Sequence, residues 1–355
     1  MPNDESANTG REKCDIILAG VGRNGASFVH GLDALPDAVA KLYITASPTR
    51  EIETSPTLLR VRGDGEWKDA LRAALAGTHL LVAVAAVTGR EETFTPEVTA
   101  VAHREGALAV AILVEPLLAT SPRRGKTPNR LVKGVIRSAD ATVLFPARQQ
   151  YGAALTLREA MGRWTERLSD TLRGLLIAAT ADDTINMHFA DIAAVLSGHC
   201  VATVGAGRGQ TVEDTLRDAA KRALAPPAEL ATARSLVAHV IGNGAMSLDD
   251  ARRVVPLLEH LFPKAEVSCG VSVRPDTGDI RATLIAGQLD TRTEEGRRTL
   301  GTDPPFFKQG DPAVYGGENL DIAAFIRHDV VLPGALPRPV PAQRTLFDAR
   351  TPARD

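Results

Sequence analysis

The segment Asp15-Ile-Ile-Leu-Ala-Gly-Val-Gly-Arg-Asn-Gly25 has the residue types and spacing of a phosphate cradle. An apolar run passes into a glycine turn and then into a helical pattern. Glycines let a backbone approach a phosphate closely, and a helix N-terminus presents unpaired N–H groups at the positive end of a dipole. Gly20, Gly22 and Gly25 fall in the G-x-G-x-x-G register of dinucleotide sites. Arg23 and Asn24 stand between them, and Arg23 offers a further phosphate contact. A dinucleotide enzyme also places an acid at the end of its second strand to hold the ribose. Here that strand ends Ile44-Thr45-Ala46-Ser47, without a carboxylate. Arg50 would suit a phosphorylated ribose instead, so an NADP-dependent Rossmann oxidoreductase stays open. So does a tight strand–helix turn that binds nothing.

Other residues point less directly to chemistry. Cys14, Cys200 and Cys269 are far apart, with neither metal-ligand nor redox-pair spacing. His199 beside Cys200 reads as a strand-end pair, because no further ligand is near in sequence, and no metal site is expected. The basic run Pro122-Arg-Arg-Gly-Lys126 reads as a solvated loop. A formal net charge of −2 and 4% aromatic residues give no reason to expect nucleic acid as a partner. No apolar run approaches the roughly 20 residues that span a bilayer. The start, MPNDESANTGREK, lacks the apolar core of a signal peptide. A reduced cytoplasm is the expected location.

The elements around the glycine turn alternate. Strands are predicted at Asp15–Ala19, Lys41–Ala46, Leu80–Ala85, Leu108–Val114 and Thr142–Phe145, each nearly continuous in apolar character, as parallel strands covered on both faces are. Helical stretches such as Glu66–Ala76 lie between them, which predicts a doubly wound parallel sheet. A long helix follows over Leu157–Ala179. Its residues Leu157, Met161, Trp164, Leu168, Leu172, Leu175 and Leu176 draw one apolar stripe. Beyond it, Thr211 with Asp214 and Ser247 with Asp250 have helix-capping spacing, and Pro256 is expected to bend or restart the second helix. Strands Ser235–Ile241, Ala265–Val273 and Asp279–Ala286 complete a small mixed sheet, with a hairpin turn at Asp276–Gly278. After Leu289 the composition shifts to glycine, proline and charge, which predicts a flexible linker over Asp290–Glu318 and a tail.

These residues also carry a resemblance. Gly20-Val-Gly-Arg-Asn-Gly-Ala-Ser-Phe-Val29 is similar to the GVGGGGGNAV loop that opens FtsZ proteins, agreeing at Gly20, Val21, Gly22 and Gly25. Ile185-Asn-Met-His-Phe-Ala-Asp-Ile192 resembles the FtsZ catalytic loop, INxDFADV. Ser247-Leu248, Gly270, Gly278-Asp279 and Thr283-Leu-Ile-Ala286 fall where that family has SL, FGA, GD and TVIA. Leu320-Asp-Ile-Ala-Ala-Phe-Ile-Arg327 resembles the tail peptide LDIPAFLR, with Ala324 in place of the proline. The motifs keep the family's order and gaps. The chain is therefore identified as resembling the FtsZ/tubulin superfamily along nearly its whole length.

The resemblance implies an α/β architecture: a Rossmann-like GTPase-type domain over residues 14–156, a central helix over 157–180, and a smaller α/β domain with a mixed sheet over 181–289. A disordered start at 1–13 and a linker and tail at 290–355 complete the division, with a docking peptide at 319–327. It implies head-to-tail stacking, in which the loop carrying Asn186, His188 and Asp191 completes the pocket of the next subunit. It also implies GTP or GDP as ligand, with magnesium if nucleotide binds. Leu320, Ile322, Phe325, Ile326 and Arg327 would engage a division protein or a membrane tether.

Several departures weaken the nucleotide site. The family's GGGTGTG clamp is replaced by Val87-Thr-Gly-Arg-Glu-Glu-Thr93, in which Thr88 and Gly89 keep the aligned positions. Backbone amides wrap phosphates less closely without those glycines. The base-pairing acid of the central helix falls at Thr165 or Glu166, its stacking Phe at Met161, and an Asn-Asp pair at Ala147-Arg148. His188 replaces the first of two catalytic carboxylates, and Asp191 keeps the second. A histidine can act as a base near neutral pH but carries no permanent negative charge; a plain interface role stands beside the catalytic one. The expectation is an FtsZ-like cytoskeletal or cell-division protein, forming or regulating filaments, with weak or absent GTP binding and hydrolysis. A monomeric regulator of another FtsZ-like protein is the remaining alternative.

Overall fold

The computed structural model describes residues 15–62, 65–87, 91–115, 126–145, 155–181, 187–225, 227–275 and 277–289, with the short strands Val314–Tyr315 and Glu318–Asn319. The segment 1–13, Thr88, Gly89, Asn186, and Leu320, Ile322, Phe325, Ile326 and Arg327 lie outside the described residues. Residues 1–308 form one unit and 309–355 another. In the second unit, Val314–Tyr315 pairs antiparallel with Glu318–Asn319, across the end of the stretch read as linker and the first residue of the expected docking peptide.

The first unit opens with β1 (Ile16–Val21), α1 (Gly22–His30), β2 (Val39–Thr45), α2 (Arg50–Glu53), β3 (Leu58–Arg60), α3 (Glu66–Leu75) and β4 (Leu80–Ala86). Then come α4 (Thr95–Arg104), β5 (Leu108–Val114), α5 (Lys126–Ser138), β6 (Ala141–Phe145) and the long α6 (Leu157–Thr180). The rest is α7 (Phe189–Val195), β7 (Cys200–Gly209), α8 (Val212–Lys221), α9 (Pro227–Leu230), β8 (Ser235–Gly242), α10 (Leu248–Leu261), β9 (Glu266–Val273) and β10 (Ile280–Gly287).

The strands form one sheet in the order β3-β2-β1-β4-β5-β6-β7-β10-β8-β9. The first six are parallel, and every residue of β4 and β6 is buried. Their order is that of a dinucleotide-binding sheet, with the reversal of winding between β1 and β4. β7 joins the halves: Cys200–Ala202 pair in parallel with Ala141–Val143, and its later residues pair antiparallel with β10.

Sequence patterning left β3 and β7 unassigned. β7 escapes because its second half reads Gly-Ala-Gly-Arg-Gly. The alternate residues Gly205, Gly207 and Gly209 leave one face bare, and α8 lies directly on it. A Cβ at Gly207 would stand against the backbone of Ala219 and 2.6 Å from the Thr215 carbonyl oxygen. A second expectation is corrected. The turn before β10 is not a hairpin, because β8 lies between β9 and β10, pairing parallel with the first and antiparallel with the second. Apolar runs bounded by a turn do not reveal whether a third strand is inserted between them.

α6 has nearly the expected bounds, but its apolar stripe is not uniformly covered. Leu168, Leu172, Leu175 and Leu176 are fully buried, whereas Leu157 and Met161 are 52% and 53% exposed. α10 runs through Pro256 as one helix rather than restarting. Both expected caps form: Thr211 accepts the Asp214 N–H, and Ser247 closes a capping box with Asp250. The hydrogen bonds from the Ser247 hydroxyl and N–H hold the Asp250 carboxyl below its usual pKa. A carboxyl depressed on folding contributes stability above its unfolded pKa and loses it as pH falls through the folded value. Asp250→Ala is accordingly expected to melt below the parent protein at pH 6, with the gap closing as pH falls toward 3. A gap independent of pH, followed by circular dichroism, would contradict this.

Candidate functional site

β1 delivers the glycine turn to the carboxyl end of the parallel sheet, beside β4, where open α/β sheets take their ligands. Each glycine has a local cause. A Cβ on Gly20 would meet the Ala26 Cα at 2.5 Å and the Gly25 carbonyl oxygen at 2.6 Å. A Cβ on Gly25 would run into the Val84 carbonyl oxygen. Gly22 adopts φ 71°, a left-handed conformation costly to other residues. Two of the three glycines therefore let α1 cross β1 and β4 in close contact. Phosphate binding is not needed to explain them. Arg23 and Asn24 are exposed in the first turn of α1, which contains no acid. A helix start with a basic side chain and no carboxylate suits an anion.

The start of α1 thus suits an anion such as the phosphates of the expected nucleotide. The base side fits less well. Along α6, Leu157, Met161, Trp164 and Leu168 share one face, with Thr165 beside it. Glu166 points about 140° from Met161 at 100° per residue. Thr165 and Glu166 are both exposed. Hence Thr165 stands near Met161, and the carboxylate of Glu166 stands away from it. Trp164 is half-buried, edge-on to Phe28 of α1 (6.4 Å) and Phe145 at the end of β6 (5.8 Å). Its indole Nε1 is buried with no hydrogen-bond partner among the described residues. This aromatic contact joins the start of α6 to the glycine-turn helix, and only the fold brings its three members together.

α6 is also tied to the second half of the sheet. Arg167 donates to the Arg222 and Ala223 carbonyl oxygens at 2.8 and 3.0 Å. Asp170 receives Arg208 and Arg222 at 3.3 and 3.2 Å. The helix therefore couples the glycine-turn end of the sheet to β7 and α8.

His188 and Asp191 are brought together at the N-terminus of α7. The Asp191 Oδ2 accepts the His188 N–H at 2.7 Å, and the Asp191 N–H donates to the His188 carbonyl oxygen at 3.0 Å. The His188 side chain is exposed. Asp191 thus has a structural task, capping a short helix, which also fixes the direction of its carboxylate.

The loop pair and the glycine turn sit at opposite ends of the strands. Phe189, the first residue of α7, lies edge-on to His79 with ring centroids 6.5 Å apart. His79 precedes β4, and its Nδ1 accepts the N–H of Asp15, the residue before β1, at 3.2 Å. The glycine turn follows the other end of β1, six residues further on, a span of about 20 Å at roughly 3.3 Å per residue. His188 and Asp191 do not reach the glycine turn of their own chain.

No protein-family model matches the chain. It is 23% identical over 226 residues to the cell division protein FtsZ of Methanothermobacter thermautotrophicus, and 26% identical over 227 residues to FtsZ 1 of Halobacterium salinarum. Each match covers 62% of this chain, and it spans 59% and 57% of those relatives. Among solved structures, FtsZ of M. jannaschii superimposes with a TM-score of 0.65 at 20% identity, covering 79% of this chain and 92% of that one. CetZ2 of Haloferax volcanii, solved as a GTPγS-bound protofilament, gives 0.64 at 16% identity, covering 81% and 97%.

Proposed function

We propose that this chain, a divergent member of the FtsZ/tubulin superfamily, is a cytoskeletal protein that associates head to tail with a second copy and holds nucleotide weakly. The observation that carries this reading is the separation of the glycine turn from the His188–Asp191 pair at opposite ends of the sheet. One site built from both needs two chains, and repetition of that contact generates an open filament unless the rotation closes it. The protofilament recorded for CetZ2 supports the same geometry. The phosphate side fits an anion at the start of α1, beside Arg23. The base side offers no carboxylate on the face of Met161, which favours weak binding without guanine specificity. Bound magnesium would neutralise phosphate charge, and Asp191 is the described residue of the loop with the chemistry to meet it. The segment from Leu320 to Arg327 is proposed to dock a separate partner.

The test uses two variants and their mixture. Arg23→Glu spoils the glycine-turn end and keeps the loop end, and Asp191→Ala does the reverse. Each alone is expected to sediment as a monomer. An equimolar mixture has one sound contact and is expected to give heterodimers without longer species, whether or not residues 319–355 are removed. Long assemblies from the mixture, or wild-type behaviour of both variants, would overturn the head-to-tail reading. Mass identification of nucleotide carried through purification separates the alternatives: a nucleoside diphosphate or triphosphate of any base supports this reading, and NADP supports an oxidoreductase.

A further inference from the structure

The amino ends of the parallel strands, where Asp15, His79 and Phe189 lie, also bring two histidines together from distant parts of the chain. His103 lies in the last turn of α4, and His199 immediately precedes β7. Their ring centroids are 5.6 Å apart, tilted by 48°. The His103 Nδ1 is 2.9 Å from the Asp140 Oδ1, and the His199 Nδ1 is 2.7 Å from the Ala139 carbonyl oxygen. A carboxylate and a carbonyl only accept hydrogen bonds, so both rings carry their proton on Nδ1. In the neutral imidazole each Nε2 then offers a lone pair, and neither Nε2 makes a hydrogen bond to the described residues.

We propose that His103 and His199 form a solvent-facing site for a first-row transition-metal ion of the zinc class, each ligating through Nε2. Histidine ligands are commonly fixed this way, the other ring nitrogen donating to a carboxylate or carbonyl that sets the tautomer and raises basicity. Two imidazoles sharing a tetrahedral ion at about 2.0–2.1 Å have centroids about 5 Å apart, near the observed spacing.

The supports are rigid. Asp140 is nearly buried, and its other oxygen accepts the Ala109 N–H at 2.8 Å. Its own N–H donates to the Ala109 carbonyl oxygen, and its carbonyl oxygen receives the Cys200 N–H. Asp140 is therefore a positioning residue behind His103 rather than a third ligand. Among the described residues no group of three or more metal-ligating side chains is assembled, so the chain supplies two ligands and water completes the shell. Cys200 does not join them. Its thiol is buried and donates to the Val195 carbonyl oxygen at 3.7 Å. His199 adopts φ 53°, which aims the ring but makes the position sensitive to its replacement.

The experiment titrates the full chain with zinc by calorimetry and with cobalt by visible absorption. One ion per chain is expected. His103→Ala and His199→Asn, the second chosen because asparagine tolerates left-handed backbone, are each expected to weaken binding at least tenfold. Asp140→Asn is expected to weaken it about tenfold, as loss of an outer-shell partner does. His260→Ala, at an exposed position of α10, should bind as the parent does. Melting curves show whether each variant is folded. Nitrogen chemical shifts of the parent protein supply a reading without substitution: the Nε2 signals of both rings should move on addition of zinc. Unchanged affinity in both histidine variants, unmoved Nε2 signals, or no binding at millimolar zinc would overturn the site.

Discussion

Gly25→Val is expected to destabilise the protein by at least about 3 kcal/mol, a large part of the stability of an ordinary domain. The new Cβ would press on the Val84 carbonyl oxygen and lie 3.2 Å from its carbonyl carbon. β4 cannot retreat, because it is paired on one side to β1 and on the other to β5. α1 cannot lift without uncovering Ala26 and Val29, both fully buried. Urea denaturation measures the loss, and accumulation in the insoluble fraction is its cellular counterpart. Arg23→Ala is the contrast. Arg23 is exposed, so stability should hardly change while nucleotide retention falls. If Gly25→Val melts near the parent protein, the close crossing of α1 over β4 is not the reason for that glycine. A phosphate would then have to be.

GTP turnover is expected to stay below about 1 per second even in assembled protein, under the range of ordinary enzymes. Two features lead there. On the proposed reading, the segment Val87–Thr93 lacks the glycines of the family's phosphate clamp, and His188 replaces a carboxylate that would suit a hard cation. Asp191 remains, oriented by the N–H of His188. Asp191→Ala should therefore abolish any residual turnover. It also uncaps α7, so its melting temperature must be measured with its rate. His188→Asp should raise turnover at least tenfold. It restores the second carboxylate, and aspartate is a preferred N-cap, so α7 keeps its start. Turnover faster than the stated limit, or no gain from His188→Asp, would show that these residues do not limit the chemistry.

The sequence by itself determined β1, β2, β4, β5 and β6 of the parallel half of the sheet, because they read as nearly continuous apolar runs; the short edge strand β3 left no such signal. It also determined the bounds of α6 and the caps at Thr211 and Ser247, because these depend on residues close together in the chain. The glycine register was equally legible, but its meaning was not. Only the tertiary structure showed that Gly20 and Gly25 stand against backbone atoms of Ala26 and Val84. Similarly, β7 was hidden because its glycines serve α8 rather than strand propensity. The insertion of β10 beside β8 follows from long-range pairing, which a local pattern does not record.

The sites divide in the same way. His188 and Asp191 are three residues apart, so their pairing across a helix start could be read from spacing. Their placement away from the glycine turn could not, because it depends on which end of β4 meets α7. His199 beside Cys200 suggested no ligand set, for its neighbour in space, His103, lies 96 residues earlier in the chain. Sequence spacing registers contacts within a turn or two of helix or strand. Parallel pairing of β5, β6 and β7 is what carries the end of α4 and the start of β7 to the amino ends of the strands, and with them the two imidazoles.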